Sequence, residues 1–353
     1  MPIGATAALP GPREPMAGTT VSEVPLSAIA SEDAFRSEVI EKCRPAIIRQ
    51  ACAAWPVRVA AAHSAADLRA YLAGLDNGQP AQAFVGLEAI GGQYHYDDGT
   101  DGFNFDRETL TLSQALDRIV VCAEEPARGT VYMGSLPVDS HLPGFAEANA
   151  LPFLARAVRP RVWIGNASLI PCHYDTFDNL ACAVAGRRIF TLYPPDAVSS
   201  LYVGPIDRTM AGQPISLAAG STPGDPRYPR FEAIRESAMI AQLEPGDALY
   251  LPKLWWHQVE AKSDFNLLVN YWWDAFAAGP DAPLTTMMLA LIAIAERPAP
   301  ERAAWRAFFD HYVFRPNGHP LAHLQAREHG LLGSLRDGNY GRIRAMVMRL
   351  LRD

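Results

Sequence analysis

Cysteine is scarce in this chain and follows no pattern. The five cysteines among 353 residues are scattered and contain no Cys-x-x-Cys pair. An odd, unclustered set argues against a disulfide framework and indicates reduced thiols. The N-terminus also lacks a basic segment followed by an apolar one, so no signal peptide is expected. These absences predict a cytoplasmic protein.

Long apolar runs and an excess of positive charge are also missing. The longest apolar candidate, residues 287–295, is far too short to span a membrane. The net charge is −7, which argues against a nucleic-acid binder that relies on a broad basic face. The chain has no internal repeat, P-loop or Rossmann fingerprint. We therefore expect neither a nucleic-acid nor a membrane partner.

What the chain does contain is a series of short apolar strands separated by Gly/Pro turns. Residues 179–184, 187–193, 248–252 and 265–273 are apolar and prone to β-structure, and turn-forming residues separate them. With 49% hydrophobic residues the chain can bury a substantial core. This pattern is typical of a sandwich or barrel of the jelly-roll type, cupins included.

Two histidines and one aspartate form the most informative motif. His173 and Asp175 are separated by one residue, so in a strand both point to the same face. His257 comes from a distant segment after two tryptophans. Two histidines and one carboxylate on one face of a metal leave open positions, which is typical of non-haem Fe(II) oxygenases. We predict that these three residues are the metal ligands and the catalytic centre. Buried core histidines with a turn-capping aspartate are the competing interpretation.

The motifs around these ligands resemble the Jumonji-C, cupin-like Fe(II)- and 2-oxoglutarate-dependent oxygenase family. Within it they are most similar to the asparaginyl hydroxylases that act on hypoxia-inducible factor and their bacterial cupin-like relatives. The similarity covers roughly residues 40–275 and lies in residues 171–175, 186–196, 201–205, 245–252, 255–257 and 269–272. It implies a mainly β fold with helices, built on a double-stranded β-helix (cupin/jelly-roll) core with N-terminal α/β decoration. It also implies Fe(II) and 2-oxoglutarate, and hence a dioxygenase of the hydroxylase kind that acts on a protein side chain or a small molecule.

The resemblance also implies a pocket for 2-oxoglutarate, although this chain departs from the pattern there. The related hydroxylases hold the distal carboxylate with a lysine, a tyrosine and a threonine, and those positions carry Arg188, Tyr132 and Ile170 here. Arginine binds carboxylates well but does not replace lysine neutrally, and isoleucine removes a donor. Alternation places Arg188, Phe190 and Leu192 on one face, which predicts an inward Arg188. A solvated Arg188 is the competing interpretation.

Four further residues match family positions near the metal, the cosubstrate or the substrate. Asn179 and Asn270 are predicted to lie beside the metal and cosubstrate, and Trp272 to form a wall of the pocket. Tyr96, on a hairpin, is predicted to face the substrate. Its neighbours make a second His-x-Asp match, which lacks a distal histidine in matching context. Strand-end amides and core aromatics are the structural alternatives.

The organisation along the chain is predicted in three parts. Residues 1–22 are expected to be a mobile N-terminus, residues 23–278 the cupin-like domain, and residues 279–353 a C-terminal helical segment. Residues 207–240 form a long insertion, expected at the substrate rim. Helices are predicted at 284–295, 300–314, 319–330 and 337–351. In the resembled family such helices make a homodimer; packing on their own chain is the alternative.

Two other functions remain compatible with the sequence. One is a metal-binding cupin enzyme that does not use 2-oxoglutarate, because its altered pocket binds another acid. The other is a non-catalytic dimeric binding protein on a cupin scaffold. Nothing in the sequence resembles a histone-reader module, which argues against lysine demethylation.

Overall fold

A computed structural model of the protein describes residues 20–97, 102–207, 209–210 and 212–352. Most of the predicted N-terminal segment, residues 1–19, lies outside the described residues. The chain forms two compact units that divide between Trp273 and Asp274. The sequence placed this boundary at residue 278, a few residues further along.

The described residues of the first unit contain all the strands and seven α-helices. The strands are β1 Ser22–Glu23, β2 Ala46–Ile48, β3 Ala81–Gly86, β4 Asp106–Leu110, β5 Thr130–Pro137, β6 Pro160–Gly165, β7 Ser168–His173, β8 Asp178–Ala185, β9 Arg188–Tyr193, β10 Met239–Leu243, β11 Ala248–Leu251, β12 Trp256–Ala261 and β13 Asn266–Trp273. The helices are α1 Glu32–Glu38, α2 Pro56–His63, α3 Ala65–Ala73, α4 Leu112–Glu124, α5 Val138–His141, α6 Phe145–Ala148 and α7 Pro229–Glu232.

Two sheets face each other, and consecutive strands of the chain mostly alternate between them. The larger sheet has the order β1-β2-β11-β8-β13-β6-β5-β3-β4, and the smaller one β10-β9-β12-β7. From β6 to β13 the chain passes repeatedly between the sheets, so that β11-β8-β13-β6 opposes β10-β9-β12-β7. This arrangement is a double-stranded β-helix. The predicted jelly-roll core with N-terminal α/β decoration is therefore confirmed.

An apolar core fills the space between the two sheets. From the larger sheet it takes Ala181, Ala183, Leu249 and Leu268, and from the smaller sheet residues such as Phe190. Burial of this apolar surface is the main driving force for the closure of the sheets. A second, mainly aromatic cluster lies beside it and consists of Tyr94, Tyr96, Phe105, Tyr132, Met210 and Ile215.

Local sequence signals explain where several elements begin and turn. Ser31 and Ser64 accept hydrogen bonds from the first-turn amides of α1 and α3, and Thr111 forms a capping box at α4. Gly186, with a φ of 73°, makes the turn from β8 to β9. A Cβ at this glycine would overlap the Asn266 side chain, so the tight turn requires glycine.

The described residues of the second unit form three α-helices: α8 Pro283–Ile294, α9 Ala299–Phe309 and α10 Tyr340–Leu350. A predicted helix at 319–330 is wrong, because this stretch forms turns and two short 3₁₀ segments, Ala326–Glu328 and Gly330–Leu332. Positive φ angles at Arg315 and Gly318 turn the chain away from a helical path. None of the described helices combines the length and apolar character that a membrane crossing requires.

Candidate active site

The structure brings the three predicted metal ligands together at one end of the β-helix. His173 ends β7 and His257 lies in β12, and the two residues are directly paired across the antiparallel strands. The centroids of their rings are 4.3 Å apart, and the Nε2 atom of His257 lies 3.8 Å from the Oδ2 atom of Asp175. One ligand atom from each residue falls within 4.8 Å of the others, and no other such group was found among the described residues. The arrangement offers two imidazoles and one carboxylate to one cation.

Asp175 reaches this point from outside the strand. β7 ends at His173, so the alternation rule that predicted a shared face applies to the histidine only. Asp175 lies in the loop that follows, where its carbonyl accepts a 2.8 Å hydrogen bond from the Leu254 N–H. Leu254 adopts a left-handed backbone with a φ of 67°, a conformation that costs about 1 kcal/mol for such a residue. This bond joins the loop after β7 to the loop before β12.

Backbone carbonyls fix the orientation of both imidazoles. The Nδ1–H of His173 donates to the Pro171 carbonyl at 2.7 Å, and the Nδ1–H of His257 donates to the Trp255 carbonyl at 3.0 Å. In the neutral tautomer that these bonds favour, Nε2 is the unprotonated nitrogen that a metal requires. Burial lowers the pKa of His257 to about 4, and the neighbouring His173 lowers it as well, whereas Asp175 raises it. His257 is therefore neutral at ordinary pH.

A chain of side-chain hydrogen bonds supports the carboxylate. Asn179 donates to Asp175 Oδ2 at 3.4 Å, and Asn270 donates to Asn179 Oδ1 at 3.4 Å. The indole N–H of Trp163 donates to Asn270 Oδ1 at 2.7 Å. Asn179 thus contacts a predicted metal ligand and Asn270 contacts Asn179, whereas their predicted roles toward the cosubstrate stay predictions. Trp163 was missed, although its alternation with the apolar Val162 and Ile164 was a usable signal.

Arg188 is buried in the barrel, and no described residue supplies a counter-charge to it. It begins β9, shares its buried face with Phe190 and Leu192, and is 2% exposed. Within the described part of the chain, its Nε and Nη2 atoms have no hydrogen-bond partner. Burial lowers its pKa to about 10 from the ordinary 12.5, and Tyr132 partly offsets this. The inward orientation agrees with the prediction, and a buried unpaired guanidinium calls for an anionic ligand.

Tyr132 lies near this guanidinium, and Ile170 occupies the third position of the predicted pocket. Tyr132 is buried, and burial raises its pKa to about 12 while the charge of Arg188 opposes the rise. Ile170 packs between the two apolar clusters and offers no donor. The residues present fit a carboxylate held by one guanidinium and one phenol. A dicarboxylate such as 2-oxoglutarate, chelated at the metal group through its other end, satisfies both needs.

Trp272 and Tyr96 border the site on different sides. Trp272 pairs with Asn179 across β13 and β8, and its ring meets that of Trp163 edge-on at 5.7 Å. Tyr96 is only 4% exposed and stacks on Phe103 with ring centroids 5.6 Å apart. Burial raises the pKa of Tyr96, and the nearby Asp207 adds to this. Their predicted roles toward cosubstrate and substrate stay predictions.

The insertion between β9 and β10 contacts the metal end of the barrel. Ile215 forms a bridge with His173, and the Ser216 N–H donates to the Cys172 carbonyl at 2.7 Å. The insertion thereby covers the free edge of β7 beside a metal ligand. Residues 208 and 211 of this insertion lie outside the described residues.

Comparison with known proteins gives a family match and several partial relatives. The model of the cupin-like domain family matches residues 32–279. Lysine-specific demethylase JMJ31 of Arabidopsis thaliana is 28% identical over 43% of this chain and 29% of its own length. Jumonji C domain-containing protein 5 of Drosophila melanogaster is 25% identical over 74% of this chain and 62% of its own. tRNA wybutosine-synthesizing protein 5 of Danio rerio is 32% identical over 42% and 41%, respectively.

The chain spans less than two thirds of the length of these curated relatives, from 29% to 62%. The family model, in contrast, covers most of the chain and includes every strand from β3 to β13. Proteins of this family use Fe(II) and 2-oxoglutarate, and the donor set and the unpaired guanidinium fit both. The predicted family and cofactors are thereby confirmed. The chain belongs to the cupin-like domain family of the Jumonji-C type.

Proposed function

We propose that this protein is an Fe(II)- and 2-oxoglutarate-dependent oxygenase that hydroxylates a protein side chain or a small molecule. One observation carries the proposal. The same barrel holds a group of two histidines and one carboxylate and a buried guanidinium whose Nε and Nη2 atoms lack acceptors. A metal site alone explains the two histidines and the carboxylate, but it does not explain why an unpaired guanidinium is buried in the same barrel.

The energetics of Arg188 support a dicarboxylate ligand. Leaving a charged group buried without a partner costs several kcal/mol. A carboxylate removes this cost, because a charge-assisted hydrogen bond to a guanidinium is roughly twice as strong as a neutral one. Tyr132 adds a hydroxyl donor beside it. The alternative that Arg188 is solvated does not agree with its 2% exposure.

The chain's own residues position the reactants. When bound, Fe(II) and 2-oxoglutarate supply the oxidising chemistry: dioxygen converts 2-oxoglutarate to succinate and CO₂, and its second oxygen atom converts a substrate C–H to C–OH. Pro171 and Trp255 orient the imidazoles, and Asn179 holds the carboxylate of Asp175. Arg188 fixes the far end of the cosubstrate. Tyr96 and the insertion at 207–240 are proposed to border the substrate.

The second unit supports the further proposal of a homodimer. Helices α8, α9 and α10 bury none of their side chains completely. Ile292 is 85% exposed, and an apolar groove between α8 and α9 is lined by Met287, Leu291, Trp305 and other residues. Exposed apolar surface of this extent is typical of an interface.

All five cysteines are unpaired, which supports the proposal of a reducing, cytoplasmic compartment.

Anaerobic titration of the Fe(II)-loaded protein with 2-oxoglutarate tests the enzymatic proposal. A chelated 2-oxo acid gives a weak visible charge-transfer band with Fe(II). We expect a saturable band in the wild type and none in His257→Ala, because that variant loses one of three ligands. His95→Ala is the matched control, since it removes the histidine of the second His-x-Asp match and should keep the band.

The outcomes separate the competing functions. Stoichiometric iron without a band would contradict 2-oxoglutarate use and favour the cupin enzyme that binds another acid. Failure to bind iron at all would favour the non-catalytic scaffold. A band that persists in His257→Ala would show that the metal group is wrongly assigned.

A further inference from the structure

A second arginine, Arg161, lies on the inner face of the larger sheet. It is directly paired with Asn270 across β6 and β13, and residues paired in this way point to the same face. Trp163, two residues further along β6, shares that face and donates to Asn270. The Cζ atom of Arg161 is 5.9 Å from the centroid of the Trp272 ring. Its guanidinium therefore belongs to the wall that also carries the asparagines behind the metal group.

The charge of Arg161 is not balanced by a carboxylate. Among the described residues it forms no salt bridge, and all its hydrogen bonds go to Ser135: Nε to Oγ at 2.6 Å, Nε to the carbonyl at 3.2 Å and Nη2 to the carbonyl at 2.9 Å. Burial lowers its pKa, and no opposing charge raises it. Arg159, two residues earlier, binds both Asp139 and Glu147. The chain thus pairs one arginine of this segment and leaves the inward one unpaired.

The backbone is shaped to hold this guanidinium in one orientation. The pairing of β5 with β6 is irregular between Met133 and Leu136, and Ser135 has a left-handed φ of 57°. Such a conformation costs about 1 kcal/mol for a residue other than glycine. It presents both oxygens of Ser135 to Nε and Nη2 of Arg161. No residue that the structure describes forms a hydrogen bond with Nη1, so this group can bind a ligand.

Trp272 supplies a second donor without an acceptor. Its Nε1 atom is buried and finds no hydrogen-bond partner among the residues that the structure describes. Trp272 is paired with Asn179, which in turn donates to the ligand Asp175. The indole therefore lies along β13 between Arg161 and the metal group. Buried donors are nearly always paired in folded proteins, so the unpaired indole N–H, next to a half-buried guanidinium with no carboxylate partner, indicates a missing acceptor at this wall.

We propose that Arg161 and Trp272 bind a carboxylate of the substrate that is oxidised. This assignment rests on the proposed oxygenase function and names the chemical class of its substrate, an organic acid. One free guanidinium nitrogen and one indole N–H match the two oxygens of a carboxylate. A doubly charged phosphate would need more donors than this wall provides. Arg188 lies on the opposite, smaller sheet, so the two acids have separate sites.

Paired acids and amides test the proposal with the Fe(II)- and 2-oxoglutarate-loaded full chain under anaerobic conditions. The probes are the N-acetyl derivatives of alanine, leucine, phenylalanine and tyrosine, each as the free acid and as the amide. Binding is read from tryptophan fluorescence and from the change in the charge-transfer band. We expect at least one acid to bind about tenfold or more tightly than its amide. Arg161→Gln should abolish the preference, and Arg161→Lys should keep part of it.

Matched variants separate a ligand contact from a structural role. Arg187→Gln removes an exposed arginine next to Arg188 and should leave the acid preference intact. Trp272→Phe keeps an aromatic ring, removes the N–H and should reduce the preference several-fold even if Arg161→Gln does not fold. Equal binding of acid and amide in every pair, or no binding of any probe, overturns the proposal. So does a loss of 2-oxoglutarate affinity in Arg161→Gln. Absence of the charge-transfer band in the wild type would instead contradict the oxygenase function itself.

Discussion

Replacing Arg188 by methionine should stabilise the ligand-free protein and abolish its response to 2-oxoglutarate. The guanidinium is fully enclosed, and its Nε and Nη2 atoms lack partners. Methionine fills a similar elongated space without a charge and adapts to irregular cavities. Replacing a buried charge by a packed apolar side chain is often neutral or stabilising by about 1–4 kcal/mol.

The size of the effect follows from the pKa of Arg188. Burial lowers it from 12.5 to about 10, which corresponds to a cost of about 3 kcal/mol for holding the charge in the fold. Because the folded pKa is the lower one, this cost is fully present below about pH 10 and disappears only as the pH rises towards 12.5. At neutral pH the variant therefore avoids it completely. For a unit of this size the gain corresponds to a rise in Tm of about 6 °C.

The assay is thermal unfolding of the Mn(II)-loaded protein with and without 2-oxoglutarate. At a concentration one hundred times its Kd, the cosubstrate should stabilise the wild type by about 2.7 kcal/mol, and it should have no effect on Arg188→Met. Arg187→Met is the control, because Arg187 is 71% exposed and its ion pair with Glu244 lies at the surface. Its stability should change by less than about 0.5 kcal/mol.

Two results would refute the reasoning about Arg188. A clear loss of stability in ligand-free Arg188→Met would mean that the guanidinium forms favourable contacts in the fold. An unchanged stabilisation of the variant by 2-oxoglutarate would mean that another group holds the distal carboxylate.

Two further predictions concern the metal group and the second unit. Asn179→Ala should weaken Fe(II) binding about 10- to 100-fold while the fold is kept, because Asp175 loses its hydrogen-bond donor. Competition titration with a metal chelator measures the Fe(II) affinity. An unaltered affinity would mean that Asn179 does not support the metal ligand. Ile292→Glu should convert a dimer into a monomer, because it places a charge on the exposed apolar face of α8. Light scattering after size-exclusion chromatography measures the mass of each protein. A wild type that is already monomeric would contradict the proposed homodimer.

The family and the metal ligands could be predicted from the sequence because their signals are local. Turn residues bound the strands, so the short apolar segments from β8 to β13 were recognisable one at a time. The residue types of the triad and the alternation of side chains around Arg188 can also be read directly from the sequence, because folding does not change them. The prediction was wrong where contacts with residues further along the chain overrode a local helical pattern. The segment at 319–330 looked helical, yet the His319 ring instead binds the Leu332 carbonyl and Leu321 N–H across a set of turns.

The sequence by itself determined which side chains could bind iron and a 2-oxo acid, and it placed both histidines on strands. Only the tertiary structure decided how these groups are paired. The direct register of His173 with His257 depends on antiparallel pairing between distant segments, and a shift of one residue would turn one ring away. Whether a buried donor is satisfied is likewise a property of all its neighbours. The unpaired groups of Arg188, Arg161 and Trp272 can therefore be recognised only in the tertiary structure, where the neighbours of each group are known.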